Sequence, residues 1–198
     1  MPFGSFEINA HALSLMIRHG YVPAPHSIYK NIFKLLPGKI IKFSSANFEG
    51  EQETWWNIAD TKKEISKNRI DISDIEAIGS LDKNLRLSIK EQMIADVKVG
   101  SMLSGGIDST LITAIMQQEN SNPINTFTIG FNNSDYDEAK YAKYISKHLG
   151  TNHTELYINA KDARNVIPML PNIYDEPFSD SSQIPTFLVS KMTRENVT

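Results

Sequence analysis

The chain has 198 residues, of which 40% are hydrophobic and 22% are charged, with a formal net charge of −3 and no cysteine. This composition is typical of globular proteins with one or two domains, and the small negative charge favours small-molecule substrates over nucleic acid. We expect no membrane association, since no segment approaches ~18 consecutive apolar residues and the first residues do not resemble a signal peptide. The absence of cysteine excludes disulfides and agrees with a cytoplasmic location.

The first third of the chain predicts short elements on either side of a proline-rich linker, in which Pro23 and Pro25 forbid regular helix. Apolar residues at helical spacing predict a helix before this linker, and β-branched residues favour a strand after it. A hairpin or loop and then a charged, solvent-exposed connector follow. The corresponding ranges are residues 8–19 for the helix, 38–43 for the strand, 44–57 for the hairpin or loop and 61–69 for the connector.

A long amphipathic helix is predicted next, because apolar residues recur at steps of three and four. We expect their stripe to lie in the protein core rather than against a cofactor. The stripe consists of Ile75, Ile78, Leu81, Leu85, Ile89 and Met93.

From residue 97 onwards the pattern alternates between strand and helix. Such alternation predicts an α/β fold in which a parallel sheet with right-handed crossovers is covered by helices. Ligands of these folds bind at the carboxyl ends of the strands. His153 lacks the partners of a metal site and is expected to shape a turn. The predicted strands cover residues 97–103, 124–131 and 154–158, and the helices cover 108–118, 137–149, 160–172 and 183–195.

The most informative motif, Ser104-Gly105-Gly106-Ile107-Asp108-Ser109, lies between the first of these strands and its helix. The glycines allow a tight turn and close backbone approach, while the serine hydroxyls and the free N–H groups of the helix start offer donors to an anion. A carboxylate beside phosphates requires a cation, so Asp108 is predicted to bind Mg²⁺. The alternative is that Asp108 or Ser109 only caps the helix.

This motif lacks the lysine and the glycine spacing of a Walker A loop. It resembles instead the SGGxDS pyrophosphate loop of the N-type ATP pyrophosphatases (the PP-loop superfamily, with an adenine-nucleotide α-hydrolase-like fold), and the flanking segments resemble those of glutamine-dependent asparagine synthetases. The resemblance runs from about Phe6 to the last residue. The matching segments are residues 21–30 and 34–38, Trp55-Trp56-Asn57, residues 125–131, Asp137-Glu138-Ala139 with Ala142, and residues 148–153 and 174–182.

The resemblance implies the chemistry of the site. ATP would be the nucleotide, and aspartate would be adenylated to β-aspartyl-AMP with release of pyrophosphate before ammonia displaces AMP. By position, the adenine contacts carry over to Leu103 and Ile129, with Gly130 beside them, and Mg²⁺ would lie at Asp108. The implied nucleotide-binding residues are Leu103, Ser104, Gly105, Gly106, Ile107, Asp108, Ser109, Ile129 and Gly130.

A second candidate group is acidic and lies on a loop, since Pro177 breaks the helical pattern. One interpretation places this loop near the Mg²⁺–pyrophosphate or the amino-acid acceptor, and the other makes it only the start of the helix at Gln183. The residues concerned are Asp175, Glu176, Asp180 and Ser181.

The resemblance also implies that the chain is an internal piece of a longer enzyme. Residues 1–58 would be the tail of a glutaminase-type domain with its linker, and residues 59–198 the N-terminal half of the synthetase domain, truncated before its second nucleotide loop. Without the glutaminase cysteine, ammonia would come from a missing domain, and we expect the piece alone to be inactive. The exposed edge of the strand over 97–103 makes a homodimer possible. Alternatives are a related amidotransferase acting on a sugar acid or a β-lactam precursor, and a non-catalytic nucleotide-binding module.

Overall fold

A computed structural model of the chain describes residues 6–45, 47–67, 71–131 and 137–197. The chain divides into two compact units, residues 1–71 with 170–180 and residues 72–169 with 181–198. In chain order the elements are α1 (Ala10–His19), β1 (Lys39–Ser44), β2 (Asn47–Thr54), α2 (Ile58–Lys67), α3 (Asp74–Gln92), β3 (Gly100–Met102), α4 (Ile107–Gln118), β4 (Asn125–Phe131), α5 (Ala139–Leu149), β5 (Asn152–Ile158), α6 (Ala160–Val166), α7 (Leu170–Ile173) and α8 (Gln183–Val197).

The first unit contains a small apolar core beside α1. The helix begins where the Asn9 side chain accepts hydrogen bonds from the N–H groups of His11 and Ala12, and it ends at Gly20. Ala12 of this helix packs against residues of the linker, namely Val22 and Ile28.

Strands β1 and β2 pair antiparallel, so residues 44–57 belong to a hairpin rather than a loop, and the predicted strand over 38–43 forms its first strand. The predicted charged connector over residues 61–69 is helical as far as residue 67, because residues 58–67 form helix α2, and residues 68 and 69 lie outside the described residues. No residue of this helix is buried. The charged composition of this segment predicted solvent exposure, which is confirmed. Exposed helices and exposed loops have similar compositions, so the composition could not predict which of the two forms here.

Helix α3 confirms the predicted amphipathic helix, and it begins in a capping box between Ser73 and Glu76. Its apolar stripe is only partly buried, which corrects the expectation that all of it lies in the core. Ile89 joins the cluster around Ile115, whereas the first three apolar residues of the stripe are exposed. The exposed fractions are 83% for Ile75, 67% for Ile78 and 57% for Leu81.

The sheet of the second unit is parallel, with the order β3-β4-β5. Strand β4 lies in the centre and is largely buried, as its three consecutive residues Thr126, Phe127 and Thr128 show. Helices α4 and α5 follow β3 and β4 in the chain, and both contact the sheet. The α/β fold with a parallel sheet flanked by helices is thus confirmed.

Two strands of this sheet begin more than one residue away from their predicted starts. Strand β3 covers only Gly100–Met102, because the residues before Gly100 do not pair with β4. Strand β5 begins two residues earlier than predicted, at Asn152, which pairs with Asn125. His153 therefore lies in a strand rather than in a turn, and pairs with Thr126.

The helix predicted over residues 160–172 is interrupted. Helix α6 is followed by a 3₁₀ turn over Ile167–Met169 and then by α7. Pro168 lies in that turn, and a proline removes an N–H donor and clashes with the preceding helical turn. In the described part of the chain, no helix combines the length and the apolar character that crossing a bilayer requires.

Candidate nucleotide site

The Ser104–Ser109 loop begins where β3 leaves the sheet. The Leu103 N–H donates to the carbonyl of Phe127 at 2.8 Å, which extends the pairing with β4 by one residue. Leu103 itself is only 1% exposed, so the last strand residue is fixed in the core while Ser104 is exposed. The loop therefore starts from a rigid point at the carboxyl end of the strand.

The two glycines of the loop have different conformations. Gly105 has a φ of +88°, in the left-handed region that favours glycine, and a Cβ there would lie 2.9 Å from Cβ of Tyr141. Gly106 has a φ of −71° and a ψ of 162°, an extended conformation open to other residues. The requirement for glycine thus comes from Gly105.

Serine side chains hold the two ends of the loop together. The hydroxyls of Ser104 and Ser109 lie 2.9 Å apart, and the Ser109 hydroxyl also accepts from the Ser104 N–H at 3.3 Å. Ser109 donates in turn to the Gly106 carbonyl at 3.2 Å, and the Gly106 N–H donates to the Ser104 hydroxyl at 3.3 Å. These bonds keep the turn compact and place hydroxyls at its exposed surface.

Helix α4 starts without a side-chain cap, because its N-cap residue is Gly106 and no described side chain accepts a capping hydrogen bond from the first N–H groups of the helix. The alternative in which Asp108 or Ser109 merely caps the helix is therefore wrong. The first N–H groups of a helix have no partner within it, and together with the helix dipole they favour an anion.

Asp108 is an exposed carboxylate in the first turn of α4. Among the described side chains, none makes an ion pair or hydrogen bond with it. One carboxylate combined with phosphate oxygens is the ligand set that Mg²⁺ prefers, so this residue fits the predicted cation. Within the described ranges there is no group of three or more His, Asp or Glu side chains that could hold a metal ion.

A cleft of about 320 Å³ opens beside the loop at the carboxyl ends of β3 and β4. Leu103, Ser104 and Ile129 line it, so the two predicted adenine contacts and the first loop residue lie together. The remaining residues of the loop lie beside the cleft rather than in its lining. The further lining residues are Met102, Phe127, Thr128, Phe131, Glu138, Pro185, Thr186 and Val189.

Three of these lining residues come from α8, a helix that sequence reasoning did not connect with the nucleotide. One side of the cleft is closed by α8, through Pro185, Thr186 and Val189. Val189 lies four and three positions after the other two, so the three residues share one face of the helix. Glu138 was also missed as a site residue, although it stands directly before α5 and follows the carboxyl end of β4. The general rule that ligands lie at strand carboxyl ends could have indicated it.

Gly130, a predicted nucleotide-binding residue, does not line the cleft. A Cβ at this position would lie 2.5 Å from Cε1 of Tyr157 and 3.0 Å from Cβ of Ala139. A larger residue here would therefore require the exposed Tyr157 ring to move and Ala139 to shift slightly. Its contact with a nucleotide stays a prediction.

The residues of the second candidate group are divided between the two compact units. Asp175, Glu176 and Asp180 belong to the first unit, and Ser181 is an exposed residue of the second. The Glu176 carboxylate accepts from the Ile28 N–H at 3.0 Å and forms an ion pair with Lys34. Glu176 therefore ties its own segment to the linker, and a role of this group at a substrate stays a prediction.

At the opposite end of the strands, near the amino ends of β4 and β5, lies a partly buried polar cluster. The Thr126 hydroxyl lies 2.9 Å from the hydroxyl of Thr151 and 2.9 Å from Nδ1 of His153. Burial lowers the pKa of His153, and the positive charge of Lys143 adds to this effect while Glu155 opposes it. The neutral imidazole is thus favoured, and this cluster lies away from the loop.

Comparison with known proteins identifies the family. Residues 80–198 match the family model described as asparagine synthase. Over 97% of its length the chain is 35% identical to a protein of Methanocaldococcus jannaschii named as a glutamine-hydrolysing asparagine synthetase, and it covers 36% of that protein. Over 97% of its length it is 27% identical to asparagine synthetase 1 of Bacillus subtilis, of which it covers 29%. The chain thus spans about a third of these relatives.

Among solved structures, the ammonia-dependent NAD synthetase of Campylobacter jejuni, in complex with the nitrate ion, is similar at a TM-score of 0.41 and 13% sequence identity. The alignment covers 59% of this chain and 52% of that one. This similarity is too weak to support an argument about the site.

Proposed function

The chain belongs to the asparagine synthase family, and from this premise we propose that it supplies the ATP-binding part of an asparagine synthetase. The observation that carries the proposal is the Ser104–Ser109 loop at the mouth of a cleft lined by Leu103 and Ile129. The cleft would take the adenosine moiety, and the loop and the start of α4 would take the pyrophosphate. The bound nucleotide would then lie across the carboxyl ends of β3 and β4.

The proposed reaction has two steps. An oxygen of the aspartate side-chain carboxylate attacks the α-phosphorus of ATP, so that a new P–O bond forms and the bond to the departing pyrophosphate breaks. Ammonia then attacks the acyl carbon of β-aspartyl-AMP, and AMP leaves with the electron pair of the broken C–O bond. The chain has no cysteine, so we propose that another part of the synthetase supplies the ammonia.

In this reaction the described residues would act by positioning and by stabilising charge. The backbone N–H groups of the loop, with the hydroxyls of Ser104 and Ser109, would hold the phosphates in one orientation relative to the cleft. Asp108 would hold Mg²⁺, which neutralises charge on the pyrophosphate as it leaves. No nucleophile from the chain is needed.

Calorimetric titration of the 198-residue chain with ATP and with pyrophosphate, each with and without Mg²⁺, tests the proposal. We expect Mg²⁺ to raise the affinity for both ligands and Asp108→Ala to abolish that increase. Asp74→Ala is the matched control, because Asp74 is also an exposed aspartate in the first turn of a helix, remote from the loop in sequence. Unchanged Mg²⁺ dependence in Asp108→Ala, or equal losses in both variants, would refute the assignment of Asp108.

A further inference from the structure

A hydroxyl bridge lies buried directly beneath the loop. Oγ of Ser101 and Oγ1 of Thr113 are 2.8 Å apart, and either atom can be the donor. Ser101 is 7% exposed and Thr113 is fully buried. The bridge is thus shielded from water. In the protein interior a hydrogen bond is stronger than in water, and a hydroxyl without a partner is costly.

The two residues of the bridge lie on either side of the loop in the sequence. Ser101 is the central residue of β3, three positions before Ser104, and Thr113 lies in α4, four positions after Ser109. The bridge therefore joins the strand that enters the loop to the helix that leaves it. A second hydroxyl pair, Ser104 with Ser109 at 2.9 Å, closes the loop nearer its tip.

Strand β3 is held by its pairing with β4 and by Leu103, which follows it and lies in the core. It is three residues long, and in the described sheet it pairs on one side only, with β4. Helix α4 packs through Ile115 and Met116 into a core cluster against which Val99, just before β3, also packs. Within this packing, the bridge between Ser101 and Thr113 is a direct hydrogen bond between strand and helix, so it helps to set the distance between them and thereby the width of the loop.

We propose that Ser101 and Thr113 are positioning residues for pyrophosphate recognition, acting through the width of the Ser104–Ser109 loop. This inference rests on the proposed function, since pyrophosphate is the ligand that the loop would receive. Neither side chain touches the ligand. The bridge fixes the spacing of the loop donors, and a shift of these donors weakens their hold on the phosphate oxygens.

The test separates loop geometry from general stability. In Ser101→Ala/Thr113→Val one hydroxyl is deleted and the other is replaced by a methyl group, which leaves neither hydroxyl of the bridge unpaired, so we expect the fold to be retained. Thr113→Ser keeps the hydroxyl and is the conservative control. Hydrogen exchange of the amides of residues 104–106, titration with Mg²⁺–pyrophosphate and thermal unfolding are measured for each variant and for the unaltered chain.

We expect the double variant to exchange these loop amides about tenfold faster and to bind pyrophosphate about tenfold more weakly, the effect of losing one hydrogen bond. Thr113→Ser should retain both properties within about twofold. Unchanged loop exchange in the folded double variant would overturn the inference whether or not pyrophosphate binds. Failure of the unaltered chain to bind pyrophosphate would instead count against the proposed function. Should the double variant not fold, Ser101→Ala alone removes the same bridge, since a helical threonine hydroxyl can bond a carbonyl of its own helix instead, and the same two outcomes apply.

Discussion

In the Ser104–Ser109 loop, the position that requires glycine is Gly105. Its φ of +88° is accessible to glycine without steric cost, and its backbone lies against the first turn of α5, at Tyr141. Gly106 carries neither constraint, since its φ is −71° and a Cβ added there would have the Ser104 hydroxyl as its nearest neighbour, at 3.4 Å.

We therefore expect Gly105→Ala to lower the free energy of unfolding by about 1–3 kcal/mol, because of the strained φ and the contact with Tyr141. Gly106→Ala is the control at the neighbouring position and should change it by less than about 1 kcal/mol. Urea denaturation of the three proteins measures the difference. Equal destabilisation by both substitutions would contradict this account of the loop.

The His153 side chain couples the stability of the second unit to pH. Burial holds its pKa below the ordinary value, and Nε2 is a buried nitrogen without a hydrogen-bond partner in the described structure. As the pH decreases, His153 therefore becomes protonated at a higher pH in the unfolded chain than in the folded chain. The free energy of unfolding is unaffected above pH ~6.5, the pKa of an unfolded histidine, and falls as the pH decreases below it.

Urea midpoints measured between about pH 7.5 and about pH 5.5, on either side of the ordinary histidine pKa, test this coupling. We expect the midpoint of the unaltered chain to fall over this range and His153→Gln, which cannot titrate, to remove part of the decrease. His148→Gln replaces an exposed histidine of α5 and is the control. Burial raises the pKa of Glu155, but hydrogen bonds from Lys143 and Tyr157, together with the positive charge of Lys143, lower it overall, and a carboxylate titrates below this window. An identical pH profile in His153→Gln would contradict the coupling.

At the scale of the element, helix α3 combines two environments along one apolar stripe. Ile89 is 7% exposed and packs into the core cluster, whereas Ile75 on the same helix is 83% exposed. The same chemical change therefore has different consequences at the two positions. Burial, rather than periodicity, decides how much each residue stabilises the fold.

Ile89→Ala should lower the free energy of unfolding by about 2–4 kcal/mol, since it removes buried methyl groups and leaves a cavity. Ile75→Ala should change it by less than about 0.5 kcal/mol, because alanine at an exposed helical position loses no packing. Chemical denaturation at one temperature gives both values. A cost at Ile75 comparable to that at Ile89 would show that the start of the stripe is buried in solution.

Sequence periodicity predicted α3 and its apolar face correctly, because both are local properties of a 3.6-residue repeat. It could not predict where the burial of that face ends, since this depends on which elements pack against it. The break at Pro168 has a local cause and could have been predicted, because proline removes a helical donor wherever it stands. Helix α2 could not have been predicted in this way, since charged residues occur equally in exposed helices and exposed loops.

At the scale of the whole molecule, the chain passes from the first unit to the second and returns to the first over residues 170–180. The Glu176 carboxylate accepts from the Ile28 N–H across a sequence separation of 148 residues. Such pairing depends on the tertiary fold, so no local pattern connects the acidic segment with the linker. The domain division at residue 58 stays a prediction.

In the candidate site, too, some features follow from local sequence and others depend on tertiary packing. The loop was predicted from six consecutive residues, and the positions of Leu103 and Ile129 at strand ends follow from the topology of parallel sheets. The contribution of α8 to the cleft was not predicted, because Thr186 is distant in sequence from both strands and only packing brings it there.

Hydrogen exchange of the whole chain with and without Mg²⁺–ATP tests most directly the central claim, that the loop and cleft form a nucleotide site. We predict that the nucleotide slows exchange at residues 103–109 and 128–131, which carry the loop and the adjoining strand end, and that Asp108→Ala reduces this protection. Unchanged exchange in these segments, or protection confined to residues 6–67 of the first unit, would contradict the account.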